Sequence, residues 1–364
     1  QISDRLEKLK TTLSISRSGN ALNISFESRR DTLSEFLPLL SDILRKPDFP
    51  ANEAEQLRAQ VLTGLETGRG EPQTIASRAL ARHGNPYPKG DWRYASTLDE
   101  DLENVRGLKL DALRAFHRDF FGAQNAEMAL VGDFDVAASR AQLEQLFGDW
   151  KANRTYARIP EPFRENPPAS LKFETPEKAN AFFVAALTLP INEDSAEAPA
   201  LQLANRILGG GALKSRLGDR LRQKEGISYG VGSNLSLSAI EADSTLSLFA
   251  VYAPQNLARV QAAVRDELER FVKDGVSEEE LAEALKGTLQ EIAIARTRDS
   301  VLASGFIRHL HLGRTMKWDE AYEARLKAVT LADVRAVLKK YIDPAKFVSV
   351  YAGDFAKEPL AVAK

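Results

Sequence analysis

Few side chains in this sequence are of a type and spacing that could do chemistry. Histidine occurs four times, at His83, His117, His309 and His311, and cysteine not at all, which excludes disulfides and thiolate metal sites. His309-x-His311 points its rings to different sides of its element, with no carboxylate at ligand spacing. His117 falls on the helix before VGDFD (131–135), where a packing or surface role is expected, and His83 opens the Pro/Gly turn HGNPYPKG (83–90). No pair of histidines forms the HxxEH zinc helix. The triplet Gly209-Gly210-Gly211 invites a phosphate-loop reading, but neither GxxxxGK[ST] nor GxGxxG is present. A helix C-terminus with glycine in the left-handed region is the simpler expectation there. Arg222 and Tyr229, spaced as Arg-x6-Tyr, place a guanidinium and a phenol on one short stretch. A phenol is an O–H donor with a pKa near 10. On spacing alone the pair reads equally as a solvated helix residue and a half-packed strand residue.

The elements that carry these residues are written twice. Residues 110–134 align without a gap on 331–355, at an offset of 221, with Leu110/Leu331, Arg114/Arg335, Ala115/Ala336, Gly132/Gly353, Asp133/Asp354 and Phe134/Phe355 identical. Ile2–Leu6 (ISDRL) aligns on Leu217–Leu221 (LGDRL), and an alternating strand then precedes a helix in both copies, from Thr32 and from Asn256. A period this long is a duplicated domain rather than a solenoid unit. The second copy begins near Ser170, so the first is expected to lack its opening segment, about 45 residues by this alignment. In the first copy Glu7 stands opposite Arg222 and Ser14 opposite Tyr229. A purely structural requirement would recur in both copies, so the difference marks these two residues out.

The expected organisation is a first domain over 1–157, a Pro-rich linker over 158–168 (four prolines in RIPEPFRENPP) and a second domain over 169–364. Strands are expected at Leu171–Phe173, Ala181–Leu189, Ser228–Leu237, Ser244–Val251 and Phe347–Ala352. Between them lie helices at about 196–208, 213–224, 257–273, 278–296 (through the capping box Ser277-x-x-Glu280) and 302–312, with another opened by Thr330. The acidic run Glu278–Glu280 is a favourable first turn and needs no function. Strands in adjacent pairs mixed with helices define an α+β class, with mixed, largely antiparallel sheets and packed helices. A net charge of −2 with interspersed signs argues against a nucleic-acid surface. The longest apolar run, Ala181–Leu189, falls well short of a membrane helix.

Three stretches together carry a family resemblance: GGGALKSRLGDRLRQKEGISYGV (209–231), HGNPYPKG and VGDFD, in this order and spacing within a duplicated domain. The chain resembles the pitrilysin/insulinase family of zinc metallopeptidases over essentially its whole length. The resemblance implies half of a clam shell built from duplicated α+β domains. In that family two His of HxxEH and a downstream Glu hold zinc, and the motif's own Glu is the general base. Matching Arg58 to the family's basic position puts the third ligand's place at Gly64, which has no ligating side chain; Glu66 lies about 200° further around the helix. The first copy is therefore expected to be a degenerate, metal-free domain, and zinc to belong to a partner half.

The resemblance further implies roles for Arg222, which would help hold substrate, and for Tyr229, whose hydroxyl would donate to the developing oxyanion. It also implies that Gly209, Gly210 and Gly211 touch peptide backbone. Two readings remain. One is the non-catalytic half of a zinc metallopeptidase, inactive alone and completed by a zinc-bearing half, fused or separate, acting on peptides. The other is a binding or assembly protein that kept the fold and lost proteolysis. A variant of the first keeps HxxEH in the missing segment with Glu66 as third ligand, against which Gly64 speaks. A periplasmic setting fits the resemblance and the lack of cysteine.

Overall fold

The computed structural model describes residues 2–19, 21–211 and 214–357. Its first stretch runs α1 (Ile2–Lys8), β1 (Thr12–Ser18), β2 (Ala21–Glu27), α2 (Leu33–Arg45), α3 (Ala51–Gly68), α4 (Pro72–His83), α5 (Leu98–Gly107), α6 (Leu110–Phe120) and α7 (Val136–Phe147). The second runs β3 (Ala169–Glu174), β4 (Ala181–Leu189), α8 (Ala198–Asn205), β5 (Ser228–Ser236), β6 (Ser244–Tyr252), α9 (Leu257–Asp274), α10 (Glu278–Ala295), α11 (Asp299–His311), α12 (Met316–Lys327), α13 (Leu331–Tyr341) and β7 (Val348–Gly353). Two π-helical turns, Arg206–Gly210 and Gly218–Lys224, lie between α8 and β5. The fold is α+β, with one mixed sheet in the order β3-β7-β4-β6-β5 and a separate antiparallel pair β1-β2. Among the described residues only β3–β7 is parallel.

The chain folds into two compact units, 1–58 with 107–158 and 299–307, and 59–106 with 159–298 and 308–364. In the first, Phe36, Leu37, Leu40 and Leu44 of α2 pack with Leu13, Ile24, Phe26, Leu146 and Trp150. The second unit holds the five-stranded sheet. β4 (AFFVAALTL) is apolar at nearly every position because both of its faces are covered: Phe183, Ala185, Leu187 and Leu189 join the core shared with α8, α9 and α13, whereas Phe182 meets α4. Ala76 of α4 is fully buried with Phe182, Val350 and Ala352. So a helix from the first copy covers the sheet of the second, and the start of α11 from the second copy belongs to the first unit.

The internal alignment extends to the elements themselves. α6 and α13 begin and end at the same offset of 221, and α3 and α10 are both 18 residues long. The capping box at Ser277 is formed, with Ser277 Oγ accepting from Glu280 N and Glu280 returning to Ser277 N. Thr330 and Asp333 form a second one at α13. One expectation is overturned. No glycine of the triplet 209–211 lies in the left-handed region. α8 instead runs on as a π-helical turn, in which Gly211 N donates to Arg206 O at 2.9 Å. Leu213, the expected start of the next helix, lies outside the described residues.

Candidate functional site

Tyr229 sits on β5 at an irregularity. Ser228 pairs with Tyr252 and Gly230 with Val251, so Tyr229 is the residue skipped in the ladder. A bulge re-aims the extra side chain, and Tyr229 is 60% exposed. Ser228 Oγ pins the bulge by donating to Val251 O at 2.8 Å. Upstream, the π-helical turn carrying Arg222 is anchored by fully buried Leu217 and Leu221, which leaves Arg222 itself exposed. The link between the two is held by Ile227 N donating to Leu221 O at 2.9 Å and by the Arg220–Glu225 ion pair. Gly226, at φ +62°, takes the left-handed turn that a side chain would strain. Arg222 and Tyr229 thus project from a braced element, and among the described residues neither side chain has a hydrogen-bond or ion-pair partner.

Gly209 of the triplet packs against the same strand. A Cβ on Gly209 would lie 2.5 Å from Ser233 N, and one on Gly211 2.4 Å from Lys214 O. Close approach therefore requires both glycines, while Gly210 is exposed at the rim of a cleft of about 380 Å³. Inside that cleft Arg206 holds Glu291 with both nitrogens, at 2.6 and 2.8 Å. Tyr322 donates to Gln202 Oε1 at 2.5 Å and stacks on Trp318. Burial pushes the Tyr322 phenol up to about 12, so it stays neutral. Nothing in the one-dimensional pattern marked this cleft. Its walls come from α8, β5, α10 and α12, brought together only by folding.

The residues present do not fit zinc. Gly64 lies on α3 with open space around it, and Glu66 is engaged by Arg69 at 3.1 Å and Arg106 at 3.0 Å. His117 Nε2 lies 2.7 Å from Leu44 O, among Phe49, Phe121 and Trp150. His83 closes α4 rather than opening a turn, and its Nε2 lies 2.8 Å from Pro167 O. His309 is buried with Nε2 2.8 Å from Asp319 Oδ2, whereas His311 is exposed. Among the described residues no three of His, Asp and Glu are placed to hold a metal ion.

The HGNPYPKG loop is braced by carboxylates. Asp91 grips Arg93 at its backbone N and guanidinium, and Arg93 lies 3.8 Å over the Tyr87 ring. The bond from Arg93 holds Asp91 at about 2, and the Thr97 backbone bond, with Lys89 and Tyr94, does the same for Glu100. Depressed folded values mean that this support is present above the unfolded range near 4 and lost as pH falls towards 2. Amide exchange over residues 85–100 is therefore expected to accelerate, relative to intrinsic rates, between about pH 5 and pH 2.5. Asp91→Asn should show the faster exchange already at pH 5. A flat profile in both proteins would refute the bracing role.

The chain belongs to the M16 peptidase family: the family model described as the peptidase M16 inactive domain matches residues 107–288. Among curated relatives, a non-peptidase homologue of Helicobacter pylori is 21% identical over 344 residues, covering 93% of this chain and 76% of that protein. An uncharacterized zinc protease of Mycobacterium tuberculosis is 31% identical over 306 residues, covering 83% and 67%. One of Streptomyces coelicolor is 28% identical, and this chain spans only 54% of its length. The crystal structure of a peptidase M16 inactive domain from Pseudomonas fluorescens matches 100% of this chain and 85% of its own, at TM-score 0.84 and 24% identity. The periplasmic protease PqqL of Escherichia coli matches at TM-score 0.75 and 18% identity, with 96% of this chain covering 38% of it.

Proposed function

We propose that this chain is the non-catalytic half of a zinc metallopeptidase, one side of a clam shell that closes with a zinc-bearing half around a peptide. Arg222 would hold the substrate, Tyr229 would donate its hydroxyl to the carbonyl oxygen as it becomes an oxyanion, and exposed Gly210 would lie against peptide backbone beside Gly209 and Gly211. The observation that carries this reading is Tyr229: a large phenol, 60% exposed, projected by a bulge from a braced strand. An exposed aromatic with an unused donor has no role in the core. The copy comparison adds weight, since Glu7 lies on α1 and Ser14 on the regular strand β1.

The test is zinc content and peptidase activity of the chain alone and after mixing with the zinc-bearing M16 half from the same source. No zinc and no activity alone, with activity on mixing, is the expected result. Stoichiometric zinc in the isolated chain would overturn it. Similarity to a non-peptidase homologue favours the second reading, a binding or assembly protein that kept the fold. That reading takes precedence if mixing restores nothing.

A further inference from the structure

The outer face of the second unit's sheet is only partly covered. α4 lies over Phe182 of β4 and over Val350 and Ala352 of β7, and leaves Leu171 and Phe173 of the edge strand β3 half-buried. Beside them a cleft of about 380 Å³ opens between α4, the start of α5 and β3. Its apolar lining is Ile75, Ala79, Leu98, Leu171 and Phe173. Ile75, Arg78, Ala79 and Arg82 recur at i, i+3, i+4 and i+7, so one face of α4 brings two guanidinium groups to that lining. The two differ in their partners. Arg78 is answered by Asp101 at 2.7 Å, and Ser96 O accepts from the same nitrogen at 3.0 Å. Arg82 is half-buried and has no carboxylate partner among the described residues; it donates through Nη1 to Ala95 O, and its Nε and Nη2 are unpaired among them.

We infer that this cleft binds a small apolar monocarboxylate, with the carboxylate on Arg82 and the hydrocarbon along Ile75, Leu171 and Phe173. A cation partly withdrawn from water without a counter-ion favours an anion beside it. One unanswered charge asks for a monoanion, and the planar fork of a guanidinium matches a carboxylate. The volume lies at the small end of ligand pockets, which run from about 300 to 1,000 Å³. A medium-chain fatty acid and the apolar C-terminal residue of a short peptide share this chemistry. β3 and β5 are opposite edges of the sheet, so the cleft is separate from Tyr229 and does not rest on the peptidase reading.

The test is calorimetric titration of the chain with octanoate, with N-acetyl-leucyl-leucine and with 1-octanol. One carboxylate is expected to bind per chain, about 10-fold or more tighter than the alcohol, the worth of a hydrogen bond to a charged group. The tighter of the two carboxylates identifies the source. Arg82→Gln should bring octanoate down to the level of 1-octanol. Ala79→Phe, which fills the cleft and leaves Arg82 in place, should abolish octanoate binding, and it decides the matter if Arg82→Gln lowers Tm. Equal affinity for octanoate and 1-octanol would overturn the site, as would no binding of either carboxylate or an octanoate affinity unchanged by Ala79→Phe.

Discussion

If Tyr229 is the oxyanion donor in the proposed two-half peptidase, Tyr229→Phe in that assembly is expected to lower kcat by about 10²–10³, the loss that follows removal of one such donor. The substitution removes an oxygen and nothing else. The ring keeps its place on β5, and the hydroxyl has no protein partner among the described residues to lose. Fold stability should therefore stay within a few tenths of a kcal/mol, as for surface changes away from special features. KM should move little, because a donor used only in the transition state does not hold the ground state. This separation makes the experiment decisive. An unchanged kcat removes Tyr229 from the chemistry and leaves the bulge as a structural irregularity; a fall in both kcat and Tm would point to repacking of β5.

How far the site could be read beforehand depended on where the controlling information lay. β4 was legible end to end, because an apolar run covered on both faces needs no partner to be recognised. α13 was legible from Thr330, whose cap is local. Thr97-x-x-Glu100 carries the same capping-box signature, and both of its reciprocal bonds are formed at α5, so that helix was there to be found. α4 offered less: its buried residues are Pro72 and Ala76, small and unremarkable, and the strands it covers, β4 and β7, are far removed in sequence. Arg222 and Tyr229 were singled out by comparing the two copies, but the bulge that turns Tyr229 outward is a matter of register against β6 and has no signature within β5 alone. The π-helical turn likewise depends on i to i+5 bonding, and of the glycines that suggested a left-handed cap, Gly209 is required by the closeness of β5 and Gly211 by that of Lys214 O. No spacing within α11 gives His309 a carboxylate, because Asp319 reaches it from the next helix.

Glu193→Leu is expected to lower the stability of the second unit by about 3–5 kcal/mol, the cost of breaking a buried ion pair from one side. Glu193 follows β4 and is 5% exposed. Its two oxygens are taken by Arg308 and Arg314, and its backbone N donates to Ser238 O at 2.9 Å. The adjoining Asp194 accepts from Trp318 Nε1 at 2.7 Å, and Arg325 donates to Ser195 O. This turn therefore fastens 308–325 to the end of the sheet and sets the Trp318–Tyr322 wall of the cleft. A buried carboxylate beside a cleft invites an acid–base reading, but one held by two guanidinium groups has no oxygen to spare for a substrate proton. Losing it leaves Arg314, whose side chain is only 12% exposed, with Asp194 and the Ala239 carbonyl. If charge imbalance is the cause, Glu193→Leu combined with Arg308→Met and Arg314→Met should recover most of the loss in urea unfolding, since replacing buried ion pairs by apolar groups is often neutral and the Asp194 left behind is 51% exposed. A near-neutral single substitution would mean that apolar packing alone fastens these helices.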